Sequence, residues 1–185
     1  LDNVTAKVIE NCPQLKVISR WGVGYDKVDT AAASKAGITV TYTPGVMAVS
    51  VAELALGLML DCARRITVQD GQVRGGAWAP INGMELFGKT VGIIGFGKIG
   101  RRAAELFHAF GCPILAYDSN PIAQMPDYVQ QTSLDELLRH ADVVSLHCPL
   151  VESTRGLMNA ERISMMKHRA ILINTSRGPV VDSRA

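Results

Sequence analysis

The sequence has no C-x-x-C pair, no signal-peptide pattern, no internal repeat and no low-complexity tract. Its four cysteines, Cys12, Cys62, Cys112 and Cys148, stand far apart. That spacing argues against a zinc site or a disulfide scaffold and fits a reducing compartment, so no metal is expected. The longest apolar run, VSVAELALGLML, is interrupted by Glu53 and is too short for a hydrocarbon layer about 30 Å thick, so no membrane partner is expected. The formal net charge is only +2, which gives nucleic acid no electrostatic footprint. With 48% hydrophobic and 19% charged residues the composition is that of a globular protein, not a disordered one. The 185 residues suffice for one full domain and part of another. The chain opens at Leu1 without a start methionine and reads as an internal segment of a cytoplasmic protein.

The first part alternates in short α/β steps. TAKVIENCP predicts a helix closed by Pro13, LKVISRW a strand, and GVGYDKVD a glycine-rich turn. TAAASKAG then predicts a helix ending at Gly37, and ITVTYTP a strand ending at Pro44. Two strands and two helices cannot close a core, so residues 1–47 read as part of a larger domain. A helix is predicted over 50–67, apolar around most of its circumference, followed by an ordered, aperiodic glycine-rich arm over 68–87. From Lys89 the strands TVGIIG, PILAYD, DVVSLH and RAILINT alternate with helices. Their apolar runs are continuous, as in a parallel sheet covered on both faces. Residues 48–185 therefore read as a doubly wound α/β domain with its core over 88–185.

GIIGFGKIG supplies G-x-G-x-x-G as Gly95, Gly97 and Gly100. The first glycine permits a tight strand-to-helix turn, the second lets a pyrophosphate approach the backbone, and the third lets helix pack on strand. The amides of Lys98 and Ile99 would then meet the phosphates along the helix dipole. Alone this pattern is weak. Here it follows a strand, opens a helix, and precedes Asp118 at the end of the next strand, eighteen residues after Gly100. Asp118 is suited to accept from the ribose hydroxyls and to repel a 2′-phosphate, so the expected cofactor is NAD, not NADP. The plainer role for Asp118 is as turn-former ahead of Ser119-Asn120-Pro121.

Four stretches, in order, resemble the D-isomer-specific 2-hydroxyacid dehydrogenases, nearest to the phosphoglycerate dehydrogenase branch. They are SRWGVGYDKVD, TPGVMAVSVAELALGLMLDCARRI, ELFGKTVGIIGFGKIGRRAA with AYD, and ADVVSLHCPLVESTRGLMN with ILINTSRGPVVD. The resemblance implies a Rossmann-type NAD domain over 48–185, its doubly wound sheet expected to be incomplete at the C-terminal end, preceded in 1–47 by part of a flavodoxin-like substrate domain. It implies hydride exchange between NAD and a small 2-hydroxy or 2-keto acid, 3-phosphoglycerate among the candidates. By that likeness Val23 and Gly24 hold the substrate carboxylate through their amides, and Arg177 is the active-site arginine. Thr175 and Ser176 line the nicotinamide side, and Cys148 meets the nucleotide through its backbone.

The departures are as informative. The family's proton-exchanging histidine and its glutamate partner lie downstream of NTSRG, beyond Ala185, so this segment alone is expected to be inactive. His108, His140, His147 and His168 match no such motif and are expected to be surface or capping residues. Met47 replaces an asparagine common in its loop, and VVDSRA lacks the acid that usually follows VVD. Two other classes fit parts of the pattern. An NAD(H)-sensing corepressor would share the scaffold, while an NAD-using hydrolase should lack NTSRGPVVD. The apolar helix and arm over 50–87 suggest a homodimer contact.

Overall fold

The computed structural model describes residues 3–185. The chain divides into two compact units, Leu1–Met47 and Ala48–Ala185.

The first unit contains α1 (Ala6–Glu10), β1 (Val17–Arg20), α2 (Thr30–Lys35) and β2 (Thr39–Tyr42). The strands pair in parallel, with Val17 opposite Thr39. Asp29 caps α2 by accepting from the Ala32 amide at 2.9 Å, and Ile9, Ala33 and Ile38 form a small core. α1 is shorter than the sequence predicts. The Asn11 side chain donates to the Lys7 carbonyl at 2.7 Å, and the chain turns ahead of Pro13.

The second unit begins with α3 (Ala48–Arg64) and α4 (Ile66–Arg74). There follow β3 (Val91–Ile94), α5 (Lys98–Ala109), β4 (Ile114–Tyr117), β5 (Val129–Gln131), α6 (Leu134–His140), β6 (Val143–Leu146), α7 (Ala160–Met165) and β7 (Ile171–Asn174). The five strands form one parallel sheet in the order β5-β4-β3-β6-β7. Every residue of β3 and β6 is buried, which is why these strands read as unbroken apolar runs. On one side Ala52, Ala55, Met59 and Ala63 of α3 join Ala103, Ala104 and Phe107 of α5 in a common core. The small side chains let the two helices approach closely, while fully buried Met59 and Phe107 contribute about 1.5–3 kcal/mol each. A second cluster gathers Leu137 and Leu138 of α6 with Val144 and Leu146. The chain moves outward from β3 to β5 and returns to β6 on the other side. This reversal opens a crevice at the carboxyl ends of β3 and β6.

The single helix predicted over 50–67 is in fact two. Arg65 takes left-handed angles (φ 55°) between α3 and α4. The Asp61 carboxylate accepts from the Thr67 amide at 2.6 Å and the Thr67 hydroxyl at 2.8 Å, and Gln69 donates to the Arg64 carbonyl at 2.6 Å. Together these bonds recruit side chains to close the break without a glycine. The arm predicted as loop from 68 is helical through Arg74, where an Asp70–Arg74 pair four residues apart supports α4 despite Gly71. The strand β5 has no counterpart in the sequence-based expectation; it is a three-residue edge in which only Val129 is buried.

Candidate functional site

The crevice is built by the turn after β3. Pairing continues past the strands, with the Gly95 amide donating to Tyr117 O at 2.8 Å and the His147 amide to Ile94 O at 2.7 Å. Gly95 has φ 92°, and a Cβ there would lie 2.6 Å from the Cys148 nitrogen. A Cβ on Gly100 would run into the Gly95 carbonyl oxygen. At Gly97, by contrast, a Cβ would meet nothing within 4 Å. Two glycines thus let the turn close, and the third borders open space. Gly97 is the N-cap of α5, which has neither a side-chain cap nor an acid in its first turn, where Lys98 and Ile99 lie. The amino end of a twelve-residue helix therefore carries no side-chain cap and no acid of its own, a geometry that suits a pyrophosphate.

Asp118 stands one residue beyond β4. Its Oδ2 accepts from the Phe96 amide at 2.8 Å and its Oδ1 from the Asn120 amide at 2.9 Å. The turn-forming role is present, and the same carboxylate steadies the glycine turn. An ionised carboxylate has roughly four lone-pair sites, so acceptor capacity remains for ribose hydroxyls. The glycines, the uncapped helix and this acid fit a dinucleotide.

At the ends of β6 and β7 the structure corrects one expectation. His147 is neither a surface residue nor a cap. Its Nε2 lies 2.9 Å from the hydroxyl of fully buried Ser145, and its Nδ1 3.5 Å from Thr175 Oγ1. Burial lowers its pKa to about 4, so the imidazole is neutral near pH 7. Only its strand neighbours reveal this; a histidine after an apolar run carries no such signal. The other three histidines are exposed: His108 stacks on Tyr128 at 4.2 Å and His140 pairs with Glu136 at 3.1 Å. Cys148 is buried, and burial is the leading cause raising its thiol pKa.

Asn174 had no part in the sequence-based expectations. Its Oδ1 accepts from the Ser176 amide at 3.0 Å and the Ser176 hydroxyl at 2.7 Å, while its Nδ2 donates to Arg177 O at 2.9 Å. One side chain thereby organises the T-S-R loop. An Asn two residues before a Ser is the available sequence sign, since Asn closes such turns through its own side chain. Arg177 is half-buried and its Nη1 donates to Ser176 O at 2.9 Å. The structure thus brings Gly95, Gly97, Asp118, Cys148, Thr175, Ser176 and Arg177 to the carboxyl edge of one sheet. Val23 and Gly24 belong to the first unit. In their turn Gly22 donates to Thr43 Oγ1 at 2.8 Å and Arg20 Nε to Gly24 O at 3.0 Å. Among the described residues no cluster of His, Cys, Asp or Glu could hold a metal, and no helix is long and apolar enough to cross a membrane.

Residues 56–185 match the family model described as D-isomer specific 2-hydroxyacid dehydrogenase, NAD binding domain. The chain belongs to this family. It is 46% identical over 185 residues to a hydroxypyruvate reductase of Thermotoga maritima, covering 98% of this chain and 60% of that one. It is 40% identical over 187 residues to a D-3-phosphoglycerate dehydrogenase of Methanocaldococcus jannaschii, covering 98% of this chain and 36% of that one. A crystal structure of a Thermus thermophilus protein superposes with a TM-score of 0.92 at 42% identity, over 99% of this chain and 60% of the other. The chain therefore spans about three-fifths, or less, of the length of these curated relatives. The five-stranded unit of this D-2-hydroxyacid dehydrogenase family member is its NAD-binding domain.

Proposed function

We propose that the protein to which this chain belongs interconverts a D-2-hydroxy acid and its 2-keto acid, with NAD accepting or returning the hydride. The observation that carries this reading is Arg177 on the same sheet edge as the Gly95–Gly100 turn and Asp118. In the proposal Lys98 and Ile99 hold the pyrophosphate through their amides, Asp118 holds the ribose, and Cys148, Thr175 and Ser176 line the cofactor. Arg177 binds the substrate through its guanidinium fork and stabilises charge developing on the carbonyl oxygen. Val23 and Gly24 contribute amides to the substrate carboxylate. The relatives' names favour small acids such as hydroxypyruvate, with 3-phosphoglycerate as a second candidate. Four free cysteines agree with a cytoplasmic setting. Exposed Leu54, Leu58, Ile66, Val73 and Trp78 on α3, α4 and the segment after them agree with a homodimer through 50–87.

Residues 1–185 alone are proposed to bind NAD without turnover. His147 is neutral and engaged by hydroxyls, and the His140–Glu136 pair lies on the exposed surface of α6, so neither supplies the proton exchange the chemistry requires. The test is calorimetric titration of NAD into this chain, with NADH formation assayed on glycerate, lactate and 3-phosphoglycerate for both this chain and the whole protein. Turnover by residues 1–185 would refute the inactivity. NAD binding by a whole protein that turns over none of the acids would favour the corepressor reading.

A further inference from the structure

The loop between β4 and β5 is held in a way the dinucleotide reading leaves unexplained. Gln124 has φ 50°, a left-handed conformation that side chains adopt only under constraint. The constraint is Arg101, in the first turns of α5. Its Nη1 donates to Gln124 O at 3.0 Å and its Nη2 donates to Ala123 O. The same guanidinium lies over the Phe96 ring, 4.9 Å from the centroid. Phe96 is the middle residue of G-F-G, and its amide is the donor to Asp118. On the loop's other side Ile122 and Met125 pack against the core.

These contacts close a circuit. From Asp118 the chain runs forward to Ala123 and Gln124, whose carbonyls grip Arg101, which covers Phe96, whose amide returns to Asp118. We propose that Arg101 is a positioning residue that latches the loop after Asp118 to the phosphate-binding turn and so sets the adenosine half of the NAD site before ligand arrives. The inference rests on the dinucleotide reading above. A planar fork is suited to such a latch, because two donors reach adjacent carbonyls while the face stays on the ring. A lysine ammonium keeps the charge but cannot form the fork.

The experiment measures ADP-ribose affinity by calorimetry, and backbone amide exchange without ligand, for the 185-residue chain and its Arg101→Ala and Arg101→Lys variants. Both variants should bind ADP-ribose about tenfold more weakly, the effect of losing roughly one charge-assisted hydrogen bond. Exchange at Phe96 and Asn120, whose amides donate to Asp118, should accelerate in both while β3 and α5 keep their protection. Wild-type affinity in Arg101→Lys with a loss in Arg101→Ala would show that charge alone matters and overturn the latch. So would a lowered melting temperature with unchanged affinity. Failure of the unsubstituted chain to bind ADP-ribose would remove the dinucleotide reading and the latch together, whereas binding by all three proteins alike removes the latch alone.

Discussion

A Cβ placed on Gly95 would lie 2.6 Å from the backbone nitrogen of Cys148, so the turn after β3 and the turn after β6 are interlocked through backbone alone. No side chain can swing away to relieve that contact. Gly95→Ala should therefore destabilise the second unit by about 3 kcal/mol, combining left-handed strain with overpacking. It should also abolish NAD binding. Urea unfolding and calorimetry on the same preparation check both; a stable variant that binds NAD normally would contradict the interlock.

His147 makes stability depend on pH. Its folded pKa is about 4, below the ordinary 6.5, so the unfolded chain takes up a proton where the native imidazole does not. Unfolding is accordingly favoured as pH falls from about 6.5 toward 4, and the effect levels off below 4. Between pH 7 and pH 5 this residue should remove roughly 2 kcal/mol of stability. His147→Gln should flatten that portion of the profile. Urea midpoints at the two pH values decide the matter, and an unchanged slope in the variant would refute the neutral imidazole.

Asn174→Ala removes three hydrogen bonds from the T-S-R loop and should destabilise by about 1–3 kcal/mol. On the proposed activity, its larger effect in the whole protein should fall on turnover, because Arg177 loses its backbone tether. Asn174→Asp, which keeps the acceptor for Ser176 and loses the donor to Arg177 O, should lie between them. Steady-state kinetics beside thermal melts separate the two effects.

The exposed apolar residues of α3 and α4 predict a dimer in solution. Sedimentation at micromolar concentration should give twice the chain mass, and Leu54→Glu with Trp78→Ser should shift it to monomer. A monomeric unsubstituted chain would end the proposal.

The local demands of the glycine turn made it legible in sequence: each glycine answers a steric need set within a few residues, and Asp118 follows at the interval a second strand requires. The parallel sheet was equally readable, because β3 and β6 are apolar without alternation. Features set by distant partners were not. Arg65 breaks the helix because Asp61 reaches Thr67, a contact no periodicity announces. His147 is half-buried and engaged by the hydroxyls of Ser145 and Thr175, and Thr175 is 28 residues away. β5 is too short to show a pattern, and Asn174 acts through an amide whose partners only the folded loop assembles.

The packing of α3 on α5 has a consequence for synthesis. The buried face of α3 packs against a helix that ends 45 residues further along the chain, at Ala109 rather than Arg64, and against the still later strand β7. At a translation rate of about 5–20 residues per second, α3 leaves the ribosome roughly 2–9 s before that partner is complete. Throughout that interval Met59 and its neighbours have no nucleotide-domain surface to cover them. The nascent chain must keep this segment from pairing elsewhere until α5, and after it β7, arrive.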